Sequence, residues 1–380
     1  MSKPLASIII NNYNYRDFLS QAIESALNQS YQPLEVIVVD DGSTDGSEQI
    51  IASYGKAILS ILKENGGQGS AFNAGFAASQ GEIICFLDAD DILLPSAIER
   101  ATELFYEPDV AKVHWPLQVI DRDGKMLQKL IPEKPLPEEG FRELNLKLFV
   151  EDTVSCPTSG NAWSRRYLEK VLPLPEVPYR FYADSYLICL VPLFGSIKRI
   201  TDYQGLYRIH GNNGTKKHSF RWQLDQHGHH VTALREYLQQ QGIQVEEHSD
   251  SWEDAERTYL QHLVDVGHQL QSLVPPGQAY ILVDMDEWGS GQLLEHCQSI
   301  PFLERNGLYW GAPSNDAIAI QEFERLHTAE INFIVFGYPA FWWLEYYTEF
   351  NHYLRSRFRC VLDNENLIVF ELQLAADPNL

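Results

Sequence analysis

The sequence predicts an α/β protein: a mostly parallel sheet, then a helical hairpin, then a second and smaller α/β domain. Three observations predict it. Between residues 7 and 91, short apolar runs alternate with stretches of helical spacing. Three of those runs end in polar clusters: Asn11-Asn12-Tyr13, Asp40-Asp41 and Asp88-Ala89-Asp90-Asp91. Two long amphipathic stretches begin at residue 220, and strand patterns resume at residue 279.

The elements follow in order. Ser7-Ile8-Ile9-Ile10 reads as a buried strand, and Phe18, Leu19, Ala22, Ile23, Ala26 and Leu27 then recur at helical spacing. Val36-Ile37-Val38-Val39 is a second strand. Asp45 is placed to cap the next helix, with Glu48 three residues on. Residues 58–62 form a weaker third strand, 71–78 a helix of small residues, and Gly81 stands in its C-cap position. Ile83-Ile84-Cys85-Phe86-Leu87 is the fourth strand. This β-α-β-α-β-α-β order implies parallel strands joined by right-handed crossovers. Ligands of such sheets bind beyond the carboxyl ends of the strands, where all three polar clusters fall.

Composition narrows the function. The chain has 380 residues, enough for two domains, and 44% of them are hydrophobic against 21% charged, as in a globular protein. Its 52 acidic residues outnumber 29 Lys plus Arg, for a net charge of −23. That argues against nucleic acid as a partner, because phosphate backbones require a basic footprint. The five cysteines, Cys85, Cys156, Cys189, Cys297 and Cys360, are scattered and lack zinc-ligand spacing, so they read as reduced thiols. Met1-Ser2-Lys3-Pro4 leads straight into a strand without a signal-peptide pattern, and no apolar stretch is long enough to span a bilayer. A cytoplasmic location is expected, with peripheral contact at the inner face of a membrane left open.

Asp88-Ala89-Asp90-Asp91 carries the chemistry. Three carboxylates in four residues repel one another, and a hard divalent cation compensates them while sharing its remaining ligands with substrate phosphates. Taken alone, the cluster also suits a solvated turn before a helix, with Pro95 near the first turn.

Four linked motifs go further. Ser7-Ile8-Ile9-Ile10-Asn11-Asn12-Tyr13-Asn14, Ser25-Ala26-Leu27-Asn28-Gln29-Ser30-Tyr31, Val38-Val39-Asp40-Asp41-Gly42-Ser43-Thr44-Asp45 and Phe86-Leu87-Asp88-Ala89-Asp90-Asp91 resemble a family 2 glycosyltransferase in order and spacing. The resemblance is strong over residues 5–95 and weaker to about residue 215. It implies a GT-A (Rossmann-like) nucleotide-sugar domain that inverts the anomeric centre of its donor.

The resemblance also implies roles. Asp41 would contact the nucleobase, accepting from a uracil imide N–H, with Asn11 and Tyr13 lining the base pocket and Asp40 making the turn. Asp90 would hold Mn²⁺ or Mg²⁺ bridging the diphosphate, with Asp88 and Asp91 supporting it or contacting the ribose. His210, in Tyr207-Arg208-Ile209-His210-Gly211-Asn212-Asn213, would join the metal or touch the diphosphate, and Arg208 would neutralise phosphate charge. Inverting transfer needs a general base for the acceptor hydroxyl, and Asp184 in Tyr182-Ala183-Asp184-Ser185 takes that place. Gly160, Asn161 and Trp163 resemble the segment near the acceptor. The residues between Glu64 and Gly75 hold a glycine-rich helix start, whose free N–H groups could face the donor; alone, it reads as a loop making a corner. Three positions depart from the family pattern: Phe72 replaces a common Arg, Asn11 a common Pro, and Ala183 the Glu of a Glu-Asp pair.

Past residue 216 the resemblance ends. Residues 220–241 and 252–273 read as two helices that pair as a hairpin. His227, His229 and His230 fall on what reads as an exposed helix face, with no metal assigned. Val274-Pro275-Pro276-Gly277 marks a boundary. Strands are expected at 279–283 and 332–336, and a hairpin at 359–370 turns on Asp363-Asn364-Glu365-Asn366. Asp284, Asp286 and Glu287 read as a solvated strand-end loop, and Phe341-Trp342-Trp343 as a packed amphipathic helix. The expected division is 1–215, 216–274 and 275–380.

The expected activity is thus metal-dependent, inverting transfer of a hexosyl or N-acetylhexosaminyl group. The sugar would pass from a nucleoside diphosphate, UDP first among them, to a hydroxyl of a glycan or glycolipid in polysaccharide or cell-envelope assembly. The rival is a non-catalytic nucleotide-sugar binding or scaffold protein on the same fold.

Overall fold

The computed structural model describes residues 3–137, 154–210, 213, 218–243, 252–288, 292–305, 308–328 and 330–372. It begins with β1 (Ala6–Asn12), α1 (Arg16–Leu27), β2 (Leu34–Asp40), α2 (Ser47–Ser53), β3 (Leu59–Leu62), α3 (Gln68–Ala78) and β4 (Ile83–Asp88). Unbroken β-branched runs suit strands covered on both faces. Side chains alternate accordingly. Ile8, Ile10, Val36, Val38, Cys85 and Leu87 pack with Leu19 and Ile23 of α1 on one face. Ile9, Ile37, Val39, Ile84 and Phe86 pack with Phe72 of α3 on the other. Each fully buried isoleucine contributes on the order of 1.5–3 kcal/mol.

The chain continues through β5 (Ile92–Leu93), α4 (Ala97–Leu104), β6 (Val110–His114), β7 (Leu117–Ile120), β8 (Met126–Ile131), β9 (Asn161–Ser164), α5 (Arg165–Val171), α6 (Ala183–Leu190), β10 (Ser196–Arg199) and β11 (Gly205–Arg208). Seven strands form one sheet in the order β10-β6-β9-β4-β1-β2-β3. β1 pairs in parallel with both β2 and β4, and β2 with β3, as expected. β9 is the exception, antiparallel to β4 and β6. A smaller sheet runs β5-β11-β7-β8.

Two local expectations change. Gly81 is not a helix cap, since α3 ends at Ala78 with Ser79 in extended conformation. A Cβ on Gly81 would stand 2.6 Å from the Ser7 N, so the glycine serves close approach to β1. The N-cap position of α2 falls on Gly46, yet Asp45 still accepts from the Ser47 N–H at 3.0 Å and from the Arg16 N–H at 2.8 Å.

The remaining elements are α7 (Phe220–Gln240), α8 (Trp252–Gln271), β12 (Ala279–Val283), β13 (Gln298–Pro301), β14 (Glu304–Arg305), β15 (Leu308–Tyr309), α9 (Asp316–Leu326), β16 (Ile331–Gly337), α10 (Trp342–Tyr346), α11 (Thr348–Arg357), β17 (Arg359–Asp363) and β18 (Leu367–Glu371). The chain divides into two compact units: Met1–His210 with His229–Glu253, and Gly211–Gly228 with Asp254–Leu380. The helical stretch is therefore not a body of its own, because α7 is divided at Gly228. Within the second unit Arg221 meets His268 and His227 meets Glu256, so α7 and α8 run antiparallel there. His230, expected on an exposed face, instead turns inward to the Tyr179 hydroxyl at 2.8 Å.

The second unit holds a five-stranded sheet, β13-β12-β16-β18-β17, parallel in its first three strands. The predicted hairpin forms, with Asn364 accepting from the N–H groups of Asn366 and Leu367 at 2.9 Å. Trp343 is fully buried, while Trp342 keeps 40% of its surface exposed. Asp284 is buried and accepts from the backbone of Asp286 and Trp288 at 3.2 Å, so its carboxylate builds the turn. Among the described residues, no helix is long and apolar enough to cross a membrane.

Candidate active site

Strand order reverses at β1, with β2 on one side and β4 on the other. A crevice opens at such a switch point, at the carboxyl ends of the strands. Register sets its first contacts. Asn11 lies opposite Asp88 and Asn12 opposite Asp40. Asn11 Nδ2 donates to Asp88 Oδ1 at 2.6 Å, and Asn12 Nδ2 to Asp40 Oδ1 at 2.6 Å. Asn11 Oδ1 is buried without a hydrogen-bond partner, an open acceptor at the rim of the crevice. Tyr13 stands 48% exposed just beyond it.

Asp40 and Asp41 have separate tasks. Asp40 accepts from the Ser43 N–H at 3.1 Å and its hydroxyl at 2.6 Å, which is turn chemistry. Asp41 is 3% exposed and accepts from Lys63 Nζ at 2.7 Å, the Gly66 N–H at 3.0 Å and the Gly67 N–H at 2.7 Å. An ionised carboxylate offers about four acceptor positions, so one is left for a base N–H. Lys63 was passed over in the sequence, although it follows β3 as the other polar groups follow their strands.

The glycine-rich segment is a clamp rather than a donor cradle. Gly66 and Gly67 donate to Asp41, while the N–H groups of Gln68 and Gly69 donate to the carbonyls of Arg180 and Tyr179, each at 2.9 Å. The expectation of free N–H groups facing a donor is therefore corrected. Gly67 has φ +91°, and a Cβ there would stand 2.6 Å from the Arg180 carbonyl oxygen. Gly67→Ala is expected to cost at least about 1–3 kcal/mol from backbone strain alone, read as a lower urea midpoint at unchanged slope. Phe72 is buried and stacks on Phe86 at 4.0 Å, so no cation reaches the site from that position.

Gln68 ties three elements together. Its Nε2 donates to Asp88 Oδ1 at 3.4 Å and Thr158 Oγ1 at 3.2 Å, and its Oε1 accepts from the Ala183 N–H at 2.9 Å. Sequence gave it no role, because its partners are distant in the chain.

The three clustered carboxylates differ. Asp90 is 7% exposed, and its Oδ2 lies 3.0 Å from His210 Nε2. The imidazole packs against Phe18 at 4.7 Å and edge-on to Tyr15 at 5.5 Å. Tyr15 was also missed; burial and then the Asp90 and Asp88 charges push its phenol far up. Burial and the neighbouring Asp90 raise Asp88 to about 7. Asp91 is 1% exposed, with its oxygens taken by the Ser159 hydroxyl at 2.7 Å and the Arg208 N–H at 3.0 Å. Each Asp91 oxygen thus accepts one hydrogen bond and helps to fix the frame behind Asp90, and its support of a metal stays a proposal. Arg208 is likewise internal. It is 1% exposed, and its guanidinium donates to the carbonyls of Asp90 at 2.9 Å and Arg122 at 3.0 Å and to Gln21 Oε1 at 2.7 Å. It does not serve as a phosphate contact.

Asp90 and His210, a carboxylate and an imidazole 3.0 Å apart, are the residues that could hold Mn²⁺ or Mg²⁺. Among the described residues no group of three or more His, Cys, Asp or Glu is placed to hold a metal ion. A cation at Asp90 and His210 would thus complete its shell with water and phosphate oxygens.

Asp184 opens α6 and is half-buried, its Oδ2 accepting from the Thr158 hydroxyl at 3.3 Å. Burial raises its pKa, while Thr158 and Lys112 oppose the rise. Gln68 Nε2 reaches both Asp88 and the Thr158 hydroxyl, and that hydroxyl donates to Asp184, so the two carboxylates are linked through two side chains. The expected acceptor residues do not line this site. Trp163 is 1% exposed and packs on Tyr167 at 5.8 Å in the core, because β9 turns it toward α5. Asn161 is fully buried and donates to the Pro157 carbonyl at 2.7 Å. A Cβ on Gly160 would stand 2.6 Å from Cys156 Cβ. Gly160 and Asn161 shape the turn carrying Thr158 and Ser159, and Trp163 packs in the core.

Residues 7–172 match the sequence model of the family described as Glycosyl transferase family 2. An uncharacterized glycosyltransferase of Nostoc sp. (strain PCC 7120) is 40% identical over 213 residues, 54% of this chain and 65% of the relative. An uncharacterized glycosyltransferase of Rickettsia conorii is 39% identical over 148 residues, 38% of this chain and 24% of the relative. The chain thus spans less than two thirds of either relative's length. A Bacillus subtilis protein, provisionally named the teichuronic acid biosynthesis glycosyltransferase TuaG, is 36% identical over 133 residues, 34% of this chain and 53% of the relative. Among solved structures, S. aureus TarS residues 1–349 in complex with UDP-GlcNAc overlaps loosely. Its TM-score is 0.48 at 16% identity, over 67% of this chain and 71% of that one.

Proposed function

We propose, from the match of residues 7–172 to the model of glycosyl transferase family 2, that the chain transfers a sugar from a nucleoside diphosphate to an acceptor hydroxyl with inversion. The observation that carries this reading is that Asp90 lies 3.0 Å from His210 while Gln68 and Thr158 link Asp88 to Asp184. The donor's base enters between Asn11, Tyr13 and the remaining acceptor position of Asp41, and Asp88 faces the ribose. UDP suits Asp41, since a uracil imide is a donor. A hexosyl or N-acetylhexosaminyl group would be the cargo.

Asp90 and His210 would hold Mn²⁺ or Mg²⁺, which when bound offsets the charge of the diphosphate. Asp184 takes the proton from the acceptor hydroxyl as its oxygen attacks the anomeric carbon from the face opposite the diphosphate. The acceptor is a glycan or glycolipid. A cell-envelope setting draws support from the name of the Bacillus relative, and contact with the inner face of a membrane belongs to the same proposal.

The test is a thermal-shift panel of nucleoside diphosphates and nucleotide sugars with and without Mn²⁺. A ligand that binds only the folded state raises the midpoint by mass action. A shift with one nucleotide that requires metal and vanishes in Asp90→Ala is expected. No shift with any nucleotide would reject the reading. A shift without transfer to any acceptor and without donor hydrolysis would favour a binding or scaffold protein.

A further inference from the structure

We propose that Thr158 and Gln68 are positioning residues for Asp184, joined to it in a closed ring of hydrogen bonds whose direction the backbone fixes. The inference rests on the assignment of Asp184 as the base.

The ring starts and ends on neighbouring residues. The Ala183 N–H donates to Gln68 Oε1 at 2.9 Å, Gln68 Nε2 donates to Thr158 Oγ1 at 3.2 Å, and the Thr158 hydroxyl donates to Asp184 Oδ2 at 3.3 Å. A backbone N–H can only donate, so the Gln68 oxygen must face Ala183. Turned the other way, the amide would set its nitrogen against the Ala183 N–H and its oxygen against the Asp88 carboxylate. The nitrogen is thereby aimed at Thr158, whose oxygen accepts and whose single proton is left to point onward. Asp88 already takes amide hydrogens from Asn11 at 2.6 Å and Gln68 at 3.4 Å, so Asp184 Oδ2 receives that proton.

Both sides of the ring are anchored. The N–H groups of Gln68 and Gly69 donate to the Arg180 and Tyr179 carbonyls at 2.9 Å, which fixes the approach to α6. Thr158 is 4% exposed in a short turn. Asn161 Nδ2 ties that turn down through the Pro157 carbonyl at 2.7 Å, and the Ser159 hydroxyl does so through Asp91 Oδ2 at 2.7 Å. Tyr182, between Arg180 and Ala183, has φ +57°. A bulky residue holds that conformation only where its surroundings over-determine it, and such strain gathers at functional sites.

The ring serves a base in two ways. It holds the Asp184 side chain in one orientation, and its hydroxyl favours the ionised carboxylate that a base requires. Burial raises Asp184, and the Thr158 hydrogen bond is foremost among the influences against that rise, ahead of Lys112 on β6. The other titratable groups that face Asp184 are Asp88 on β4 and the Tyr182 phenol. Thr158 and Gln68 both act through Asp184.

The experiment uses full-length protein with carbon-13 at the aspartate carboxyls, titrated by NMR without ligand. The Asp184 signal is identified by its absence in Asp184→Asn. Thr158→Val keeps the shape of the side chain and removes its hydroxyl. Its Asp184 midpoint is expected to rise by about one pH unit, the equivalent of one hydrogen bond to a charged group. Thr158→Ser keeps the hydroxyl and should stay near wild type. Gln68→Met lets the hydroxyl rotate away and should move the midpoint in the same direction as Thr158→Val. An unchanged midpoint in either folded variant would overturn the proposal, and Gln68→Met decides alone should Thr158→Val not fold. An equal rise in Thr158→Ser would also overturn it, since packing and not the hydroxyl would then be the cause. Turnover retained in Asp184→Asn would instead remove the base assignment while leaving the measured hydrogen bonding in place.

Discussion

Replacing Asp184 by Asn is expected to lower turnover by about 10²–10⁴-fold while nucleotide binding stays intact. The amide keeps the shape of the carboxylate and still accepts from the Thr158 hydroxyl. What it loses is basicity. An acceptor hydroxyl then attacks without a partner for its proton, and only the transition state suffers. The measurement is nucleoside diphosphate release from whichever donor stabilises the fold, beside the thermal shift of the same variant. Preserved turnover with bound donor would reject the base assignment. Burial raises the Asp184 pKa, so the acid limb of the wild-type rate profile should lie above the ordinary carboxylate range. The sign is set by which form works: activity is present above that pKa and falls as pH drops through it.

Arg208→Met is expected to cost about 3–5 kcal/mol of stability, the range for breaking a buried, hydrogen-bonded charge. The guanidinium lies 4.9 Å from the Phe18 ring centre and serves acceptors on three separate chain segments. Methionine fills much of the volume but leaves the Asp90 and Arg122 carbonyls and Gln21 Oε1 without this donor. It also withdraws the cation facing Asp91 and Asp90. Arg208→Lys should rescue poorly, because one ammonium cannot reach acceptors that a planar fork spans. Urea unfolding followed by tryptophan fluorescence reads the loss. A midpoint close to wild type would mean that the network is held by its neighbours. His210 is two residues away, so metal-dependent nucleotide binding should weaken in the same variant.

The strands that build the site were legible because they are buried on both faces. Ile8-Ile9-Ile10 and Val36-Ile37-Val38-Val39 have no other comfortable environment, and their parallel order follows from the helices between them. Motif spacing brought out Asp90 and His210, which lie 3.0 Å apart, and Asp184; their roles are proposals. The rest depended on which way a side chain turns. Asp90 and Asp91 are adjacent, yet one meets the imidazole and the other Ser159. Trp163 could face a ligand or the core, and the antiparallel placement of β9 decided for the core. Lys63 and Gln68 gave no signal because their partners lie on other elements of the chain. In the second unit the 359–371 hairpin was readable from its Asp-Asn-Glu-Asn turn, while the burial of Asp284 was not.

The amide of Gln68 has one oxygen and one nitrogen, and each is already in use. The nitrogen is shared by Asp88 and Thr158, and the oxygen holds the first residue of α6. The corner proposed to hold the nucleotide and the helix proposed to carry the base are therefore not separable modules. Grafting a new loop onto either, to accept another donor or another acceptor, would disturb its counterpart unless residue 68 were redesigned along with it.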